Sequence, residues 1–327
     1  MGIYKLRAML SVAGFLLLAS GAVCAPEDAE DRSQDYETRA KTHSEGHGAP
    51  EIVPHRMNPH KTAPTAGSTA LITPAIRYHQ GPVMGTPDVY LIWYGNWNQS
   101  NGSDNAGGQQ IVRDFLGSLS GSGYYLTNRT YPGVSGMFSV RAQYTDTYSQ
   151  GSVLSDSRVQ AVVSHAISSK ALPNNSNGIY FVLTSSDVSE SSGFCNKYCG
   201  WHTAGTISGT DIKYAFVGNA NRCLSACAAQ SVGPNGNAGV DGMLSVIAHE
   251  LEETNTDPDL NAWYDSRGAE DADKCAWTFG SHQTKGSNGA YYNLTLTGAT
   301  GSTRHYLIQR ELDSSSKCYV DYIKNIQ

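Results

Sequence analysis

The chain has 327 residues, a net charge of −6 and only 16% charged residues, so uncharged polar residues must form much of its surface. The negative charge, together with the lack of a basic stripe interleaved with aromatics, argues against a nucleic-acid partner. The length allows one large domain or two modest ones, with a substantial core in either case.

Residues 1–24 have the pattern of a secretion signal peptide. Lys5 and Arg7 precede an apolar run over 8–23, which is too short to span a bilayer comfortably. No later run approaches about 18 apolar residues, so we expect no membrane span in the mature protein. Residues 25–70 are polar and rich in Pro, His and Glu, which predicts a disordered leader or a propeptide. A single folded domain is expected over 71–327.

Helices and strands alternate in the first half of this domain. Continuous apolar runs predict buried strands over 89–94 and 178–183, and apolar stripes predict a helix over 109–119. A second helix is expected to begin at Ser155, a good N-cap. A strand over 211–217 begins with alternating polar and apolar residues, which favours a position at the sheet edge.

A further helix is predicted to begin at Asp241 and to end at Thr256-Asp257-Pro258, because proline removes a backbone donor and clashes with the preceding turn. Strands and turns are expected beyond it, including 291–296 and 305–308. This order predicts an α/β (α+β) fold, in which helices pack on a mixed sheet. Zinc-peptidase domains share the order, so we expect a zincin-like arrangement stabilised by disulfides.

The cysteines indicate an oxidising compartment. Six remain after the signal peptide: Cys195, Cys199, Cys223, Cys227, Cys275 and Cys318. An even number in an exported chain predicts disulfides rather than a four-cysteine zinc site. Six cysteines allow 15 pairings, and the sequence does not choose among them.

The predicted helix after 241 carries the most informative motif of the chain. His249 and Glu253 are four residues apart, so their side chains lie on one helix face. Zinc hydrolases use this spacing to hold Zn²⁺, and a glutamate directly after the first ligand acts as the base. We therefore predict His249 and Glu253 as metal ligands and Glu250 as the catalytic base of a metal-dependent, peptidase-like hydrolase.

The third protein ligand is expected in the acidic segment 257–273 that follows the helix. We favour Glu270, then Asp273, then Asp259. So many carboxylates would repel one another unless a cation lay among them. Their oxygens also suit a hard cation, so Ca²⁺ is the alternative to Zn²⁺.

Simpler interpretations of the acidic helix residues and of His202 are also open. The acidic residues Glu250, Glu252 and Glu253 also suit an exposed, solvated helix face that holds no metal. His202, which follows Trp201, either packs beside that indole or reaches the cleft.

Several segments together resemble the EXORDIUM-like, or phosphate-induced protein, family of plants and microbes. The segments that carry the resemblance are Tyr78-His-Gln-Gly-Pro-Val, Val89-Tyr-Leu-Ile-Trp-Tyr-Gly, Phe194-Cys-Asn-Lys-Tyr-Cys-Gly-Trp-His, Val217-Gly-Asn, Arg222-Cys-Leu-Ser-Ala-Cys, Gly239-Val-Asp-Gly-Met, Thr256-Asp-Pro, Asn261-Ala-Trp-Tyr, Tyr292-Asn and Arg304-His-Tyr-Leu. Together they cover roughly residues 71 to 320.

The resemblance implies a secreted protein that acts outside the cell or at the cell wall. It supplies no reaction, so the metal-site prediction rests on the residues themselves. The alternative to a zinc hydrolase is a non-enzymatic extracellular signalling or wall-binding protein with a structural metal or none. A peptide or a cell-wall component is the expected partner, and the oligomeric state is left open.

Overall fold

The computed structural model describes residues 74–298 and 301–325. The predicted signal peptide and leader, residues 1–24 and 25–70, lie outside these residues, so both stay predictions. The site described below is positioned by one central sheet and by the three helices longer than two turns.

Five strands form the central sheet. They are β1 (Asp88–Tyr94), β2 (Ser139–Asp146), β3 (Gly178–Thr184), β4 (Gly200–Ile207) and β5 (Thr210–Gly218). Their spatial order is β2-β1-β3-β5-β4. All neighbouring pairs are parallel except β4 and β5, which are antiparallel. The predicted α/β class with a mixed sheet is therefore confirmed, while its zincin-like character stays a prediction.

The core lies around the central strands. Residues 89–94 of β1 and every residue of β3 are buried, as expected for parallel strands that are covered on both faces. Both strands are found where the continuous apolar runs predict them.

The predicted edge position of the strand over 211–217 is wrong. This strand, β5, lies between β3 and β4, and β4 forms this edge of the sheet. The alternation at its start combines an exposed residue, Asp211, with a buried lysine, Lys213. Lys213 is only 6% exposed; it pairs with Asp211, and its Nζ lies 3.0 Å from Asp259 Oδ1.

Three helices pack around the sheet. They are α1 (Ala106–Leu119), α2 (Asp156–Ser168) and α3 (Ala238–Thr256). Asn105 caps α1, and Ser155 caps α2 as predicted, its Oγ accepting from Arg158 N at 3.4 Å. Helix α3 contacts α1, β4 and β5. Within residues 74–298 and 301–325, the structure contains no helix long and apolar enough to cross a membrane.

Helix α3 begins four residues earlier than the Asp241 cap predicts. Asn237 is the N-cap, and its Oδ1 accepts from Val240 N at 3.1 Å. Asp241 lies inside the helix, where its carboxylate accepts from Asn235 N at 3.0 Å and from Asn235 Nδ2 at 2.6 Å. The helix ends at Thr256, directly before Asp257-Pro258, as predicted.

We expect Asp241 to make the stability of the fold depend on pH. Burial raises the pKa of its carboxyl from 3.8 to about 6, so the folded state binds the proton more tightly than the unfolded state. The resulting stabilisation is complete below pH 4 and is lost as the pH rises through 6. The loss is on the order of 2 to 3 kcal/mol. Asp241→Asn should reduce the pH dependence of the unfolding free energy between pH 4 and 7, as measured in denaturant titrations. Parallel profiles for the two proteins would contradict this assignment.

The remaining elements are short. The paired strands are Arg77–Tyr78 with Trp263–Tyr264, Val153–Leu154 with Ser189–Glu190, Thr284–Lys285 with Tyr291–Tyr292, Leu294–Thr297 with Thr303–Tyr306, and Glu311–Leu312 with Cys318–Tyr319. The short helices are Tyr125–Thr130, Ala220–Arg222, Leu224–Cys227, Asp273–Cys275 and Tyr322–Asn325. The predicted strands over 291–296 and 305–308 thus correspond to several shorter ones.

The predicted disulfides are confirmed, and the structure supplies their pairing. Cys195 bonds to Cys223, Cys199 to Cys227, and Cys275 to Cys318. The third bond ties the acidic segment after α3 to the C-terminal hairpin. It therefore constrains the chain on which the predicted metal ligands lie.

Candidate metal centre

The acidic turn of α3 is buried, not exposed. His249, Glu250, Glu252 and Glu253 each have 0% exposed surface. The interpretation of these residues as a solvated helix face is therefore wrong, because the loop after α3, strand β4 and the C-terminal segment cover this turn. A buried charged side chain is stable only when a partner of opposite charge, a hydrogen-bond donor or a metal ion lies beside it.

His249 and Glu253 meet Asp273, and we call these three residues the first donor group. His249 Nε2 lies 3.0 Å from Glu253 Oε1 and 3.8 Å from Asp273 Oδ1. The backbone N–H of Asp273 donates to the same Glu253 oxygen at 2.9 Å. One donor atom from each residue lies within 4.8 Å of the other two, which is close enough for one metal ion.

His202 and Glu270 meet the other side of Glu253, and we call His202, Glu253 and Glu270 the second donor group. His202 Nε2 lies 3.3 Å from Glu270 Oε2 and 3.9 Å from Glu253 Oε2. All three side chains are fully buried, and their donor atoms also lie within 4.8 Å of one another. His202 thus contacts carboxylates and does not merely pack beside Trp201.

The four ligands that the sequence predicts, His249, Glu253, Glu270 and Asp273, therefore lie together with His202. The difference from the prediction is which acid lies beside His249. Asp273, the second choice, lies beside His249, whereas the first choice, Glu270, lies beside His202. Asp259 belongs to neither donor group because it pairs with Lys213. The ligand assignment itself stays a prediction.

Glu250 lies on the side of α3 that faces β4. A Cβ atom on Gly200 would lie 2.9 Å from Glu250 Oε1 and 2.5 Å from Val246 Cγ1. Glycine at this position therefore lets the helix approach the strand closely. Gly200 and His202 are two residues apart on β4, so they point to the same face. Glu250 is accordingly next to the second donor group.

Other acidic residues of the segment 257–273 have structural contacts instead. Asp257 Oδ1 accepts from Asn261 N at 2.6 Å and from Ala262 N at 2.5 Å. Asp265 Oδ1 accepts from Arg267 N at 2.8 Å, and Asp265 also pairs with Lys274. These contacts shape the loop that returns Glu270 and Asp273 to the helix.

A separate set of buried carboxyls, those of Glu252, Asp271 and Glu311, does not form a donor group. Burial, reinforced by the charge of Glu311, raises the pKa of Glu252 well above its ordinary value. Burial likewise raises the pKa of Asp271 to about 7, although Thr256 Oγ1 donates to it at 2.9 Å. The same effect raises the pKa of Glu311. Burial thus favours the protonated forms of these carboxyls, which repel one another less than the charged forms.

Gln309 is a site residue that the sequence prediction missed. Its side-chain Nε2 lies 2.5 Å from His249 Nδ1, and its Oε1 accepts from Trp277 N at 3.1 Å. With Nδ1 as the acceptor, the imidazole proton lies on Nε2 and faces Glu253. A metal ion at Nε2 would need that lone pair, so the imidazole proton would lie on Nδ1 and Gln309 would have to rotate to present its amide oxygen. No local motif marks Gln309 as a contact of His249, since it follows a short strand in an ordinary polar-apolar pattern.

Removing the acceptor at position 309 should weaken metal binding. Gln309→Met leaves the Nδ1 proton of metal-bound His249 buried without an acceptor, and we expect Zn²⁺ affinity to fall about 10- to 100-fold. Competition with a chromogenic zinc chelator measures the change. Gln309→Glu retains an acceptor and should bind Zn²⁺ at least as tightly as the wild type. Equal affinities for the Met variant and the wild type would remove Gln309 from the site.

The donor set fits Zn²⁺. Zinc bonds of about 2.1 Å at tetrahedral angles place two ligand atoms about 3.4 Å apart. Within each donor group, the histidine nitrogen lies 3.0 to 3.9 Å from the carboxylate oxygens. Each group contains one imidazole, a ligand that suits zinc, whereas Ca²⁺ takes oxygen ligands.

Comparison with known proteins supports the family resemblance. The conserved region of phosphate-induced protein 1 matches residues 76–320. Protein EXORDIUM-like 3 of Arabidopsis thaliana is 34% identical, over 74% of this chain and 81% of its own length. EXORDIUM-like 5 of the same plant is 32% identical, over 78% and 77%. Protein PHOSPHATE-INDUCED 1 of Nicotiana tabacum is 29% identical, over 74% and 87%. No solved structure is significantly similar.

The matched region includes all five residues of the two donor groups, together with Glu250, Gln309 and the three disulfides. The candidate centre is therefore built within the shared region and not on an appended segment. By this match and by identities above 30% over about three quarters of its length, the chain belongs to the EXORDIUM-like, or phosphate-induced protein, family.

Proposed function

We propose that this protein is a secreted, extracellular zinc-dependent hydrolase with a peptidase-like site. The observation that carries the proposal is the buried convergence of His249, Glu253 and Asp273, two of which lie within one turn of Glu250 on helix α3. Its three disulfides favour an oxidising compartment, in agreement with the signal-like residues 1–24.

The first donor group would hold the ion, with His249 giving a nitrogen and Glu253 and Asp273 giving oxygens. Bound Zn²⁺ would supply Lewis acidity, polarising a substrate carbonyl and making a water molecule more acidic. Glu250, the buried carboxylate that follows His249 in α3, would take the proton of that water and pass it to the leaving group. Asp273 retains 9% exposed side chain, so we place the approach of the substrate on its side of the centre.

The expected substrate is a peptide, with a cell-wall component as the second choice. Strand β4 supports a peptide because it is one of the two edge strands of the sheet and carries His202. An extended peptide can pair with an edge strand through main-chain hydrogen bonds. Such pairing would place a scissile bond near the donor groups.

The test is metal analysis of the purified full chain, followed by assays on a fluorogenic peptide library. We expect zinc to co-purify, and we expect a chelator to abolish hydrolysis that added Zn²⁺ restores. If zinc is absent, and added Zn²⁺ brings neither hydrolysis nor thermal stabilisation, the proposal fails.

Burial favours a second candidate, a non-enzymatic extracellular protein in which the ion is structural. His202, His249, Glu253 and Glu270 each have 0% exposed surface, as is common for a metal that only holds the fold together. In that case Zn²⁺ would raise the unfolding temperature, but no peptide would be cleaved. The two candidates therefore differ in the assay and agree in the metal analysis.

A further inference from the structure

Glu253 belongs to both donor groups, and its two oxygens face different histidines. Oε1 lies 3.0 Å from His249 Nε2, while Oε2 lies 3.9 Å from His202 Nε2. A carboxylate oriented in this way offers one oxygen to each of two ions.

Each end of Glu253 has its own second carboxylate. Asp273 Oδ1 lies 3.8 Å from His249 Nε2, and Glu270 Oε2 lies 3.3 Å from His202 Nε2. The backbone connects these two acids, because Glu270 N donates to Asp273 Oδ2 at 3.3 Å. This bond leaves Asp273 Oδ1 directed at the first donor group and Glu270 Oε2 at the second, so the two groups have matching compositions.

We propose that Glu253 bridges two divalent cations, one in the first donor group and one in the second. This inference rests on the proposed function and extends it, since the proposed hydrolase needs only the first ion. The bridging carboxylate would hold the ions about 3.5 to 4 Å apart, the spacing of two-metal hydrolytic sites. Such a pair can bind both the attacking and the leaving oxygen of a substrate.

The experiment measures bound metal in the full chain after reconstitution with Zn²⁺ and removal of excess ion. We expect two equivalents in the wild type, one in His202→Ala and one in His249→Ala. The control His282→Ala removes an exposed histidine outside both groups and should keep two. A parallel sample reconstituted with Mn²⁺ should give an exchange-coupled electron paramagnetic resonance signal in the wild type and an uncoupled signal in either single variant.

The other outcomes separate this inference from the proposed function. One equivalent that His249→Ala removes and His202→Ala retains would overturn the cation pair and leave the proposed hydrolase standing. One equivalent that both variants remove would mean a single ion shared by the two histidines, and would also overturn the pair. No bound metal would defeat both proposals. If His202→Ala fails to fold, as judged by circular dichroism, Glu270→Gln tests the second donor group with a near-isosteric change.

Discussion

Glu250→Gln is expected to reduce peptide hydrolysis about 10²- to 10⁴-fold, the usual contribution of a general base. The amide keeps the size of the side chain against Gly200 but cannot take a proton from water. Glu250 is adjacent to the donor groups and belongs to neither, so the variant should bind as much zinc as the wild type. Steady-state kinetics and metal analysis on the same preparation measure the two effects.

Glu252→Gln is the matched control for this prediction. It changes a neighbouring buried glutamate of the same helix, whose pKa burial raises well above its ordinary value. Because burial disfavours the charged form of its carboxyl and it belongs to neither donor group, we expect activity and metal content close to those of the wild type. A similar loss of activity in both variants would indicate damage to the helix and not the loss of a base.

Removing the Cys275–Cys318 disulfide with alanine at both positions is expected to lower the free energy of unfolding by about 2 to 5 kcal/mol. It should also weaken zinc binding, because the bond joins two segments of the site. Cys275 ends the short helix that carries Asp273, and Cys318 pairs with Leu312, three residues after Gln309. Denaturant unfolding and zinc competition titrations measure the two losses.

Replacing Cys195 and Cys223 by alanine is the comparison for the disulfide prediction. That bond also closes a loop, over 28 residues, so a loss of stability of similar size is expected. It holds neither Asp273 nor Gln309, so zinc affinity should stay close to the wild-type value. Equal affinity losses in the two double variants would show that the metal site responds only to general destabilisation.

Local patterns carry enough information to predict much of the fold. The central strands are fully apolar over 89–94 and 178–183 because both of their faces are covered. Helix α2 begins after its serine cap, and α3 stops before Pro258 for a steric reason that is visible in the sequence. The predicted edge position was wrong because Lys213 is buried and paired with Asp211 and Asp259. A pattern of alternating residues cannot distinguish such a paired, buried lysine from an exposed one.

The candidate site is only partly predictable from the sequence, because some of its contacts join residues that are far apart in the chain. His249 and Glu253 come together through helix geometry over four residues, so their pairing can be read locally. Asp273 and Glu270 arrive through a loop whose path is set by contacts such as Asp265 with Lys274. Residue spacing therefore identifies this segment but not which of its acids reaches which histidine.

His202 and Gln309 show the limit of motif reasoning. His202 reaches the site because β4 is the edge strand beside α3, a relation that depends on the order of all five strands. Gln309 reaches His249 from 60 residues away in sequence. Both contacts depend on tertiary structure, which no spacing rule within a single helix encodes.

The most direct test of the buried metal centre is the unfolding temperature of the chelator-treated protein as Zn²⁺ is added, compared between the wild type and Glu253→Gln. Glu253 is the residue shared by both donor groups. Binding to the folded state stabilises it by about 2.7 kcal/mol when free Zn²⁺ is 100 times the Kd. We predict a rise of several degrees with Zn²⁺ in the wild type and almost none in Glu253→Gln. An unchanged wild-type unfolding temperature, or an equal rise in both proteins, would contradict a metal centre at these residues.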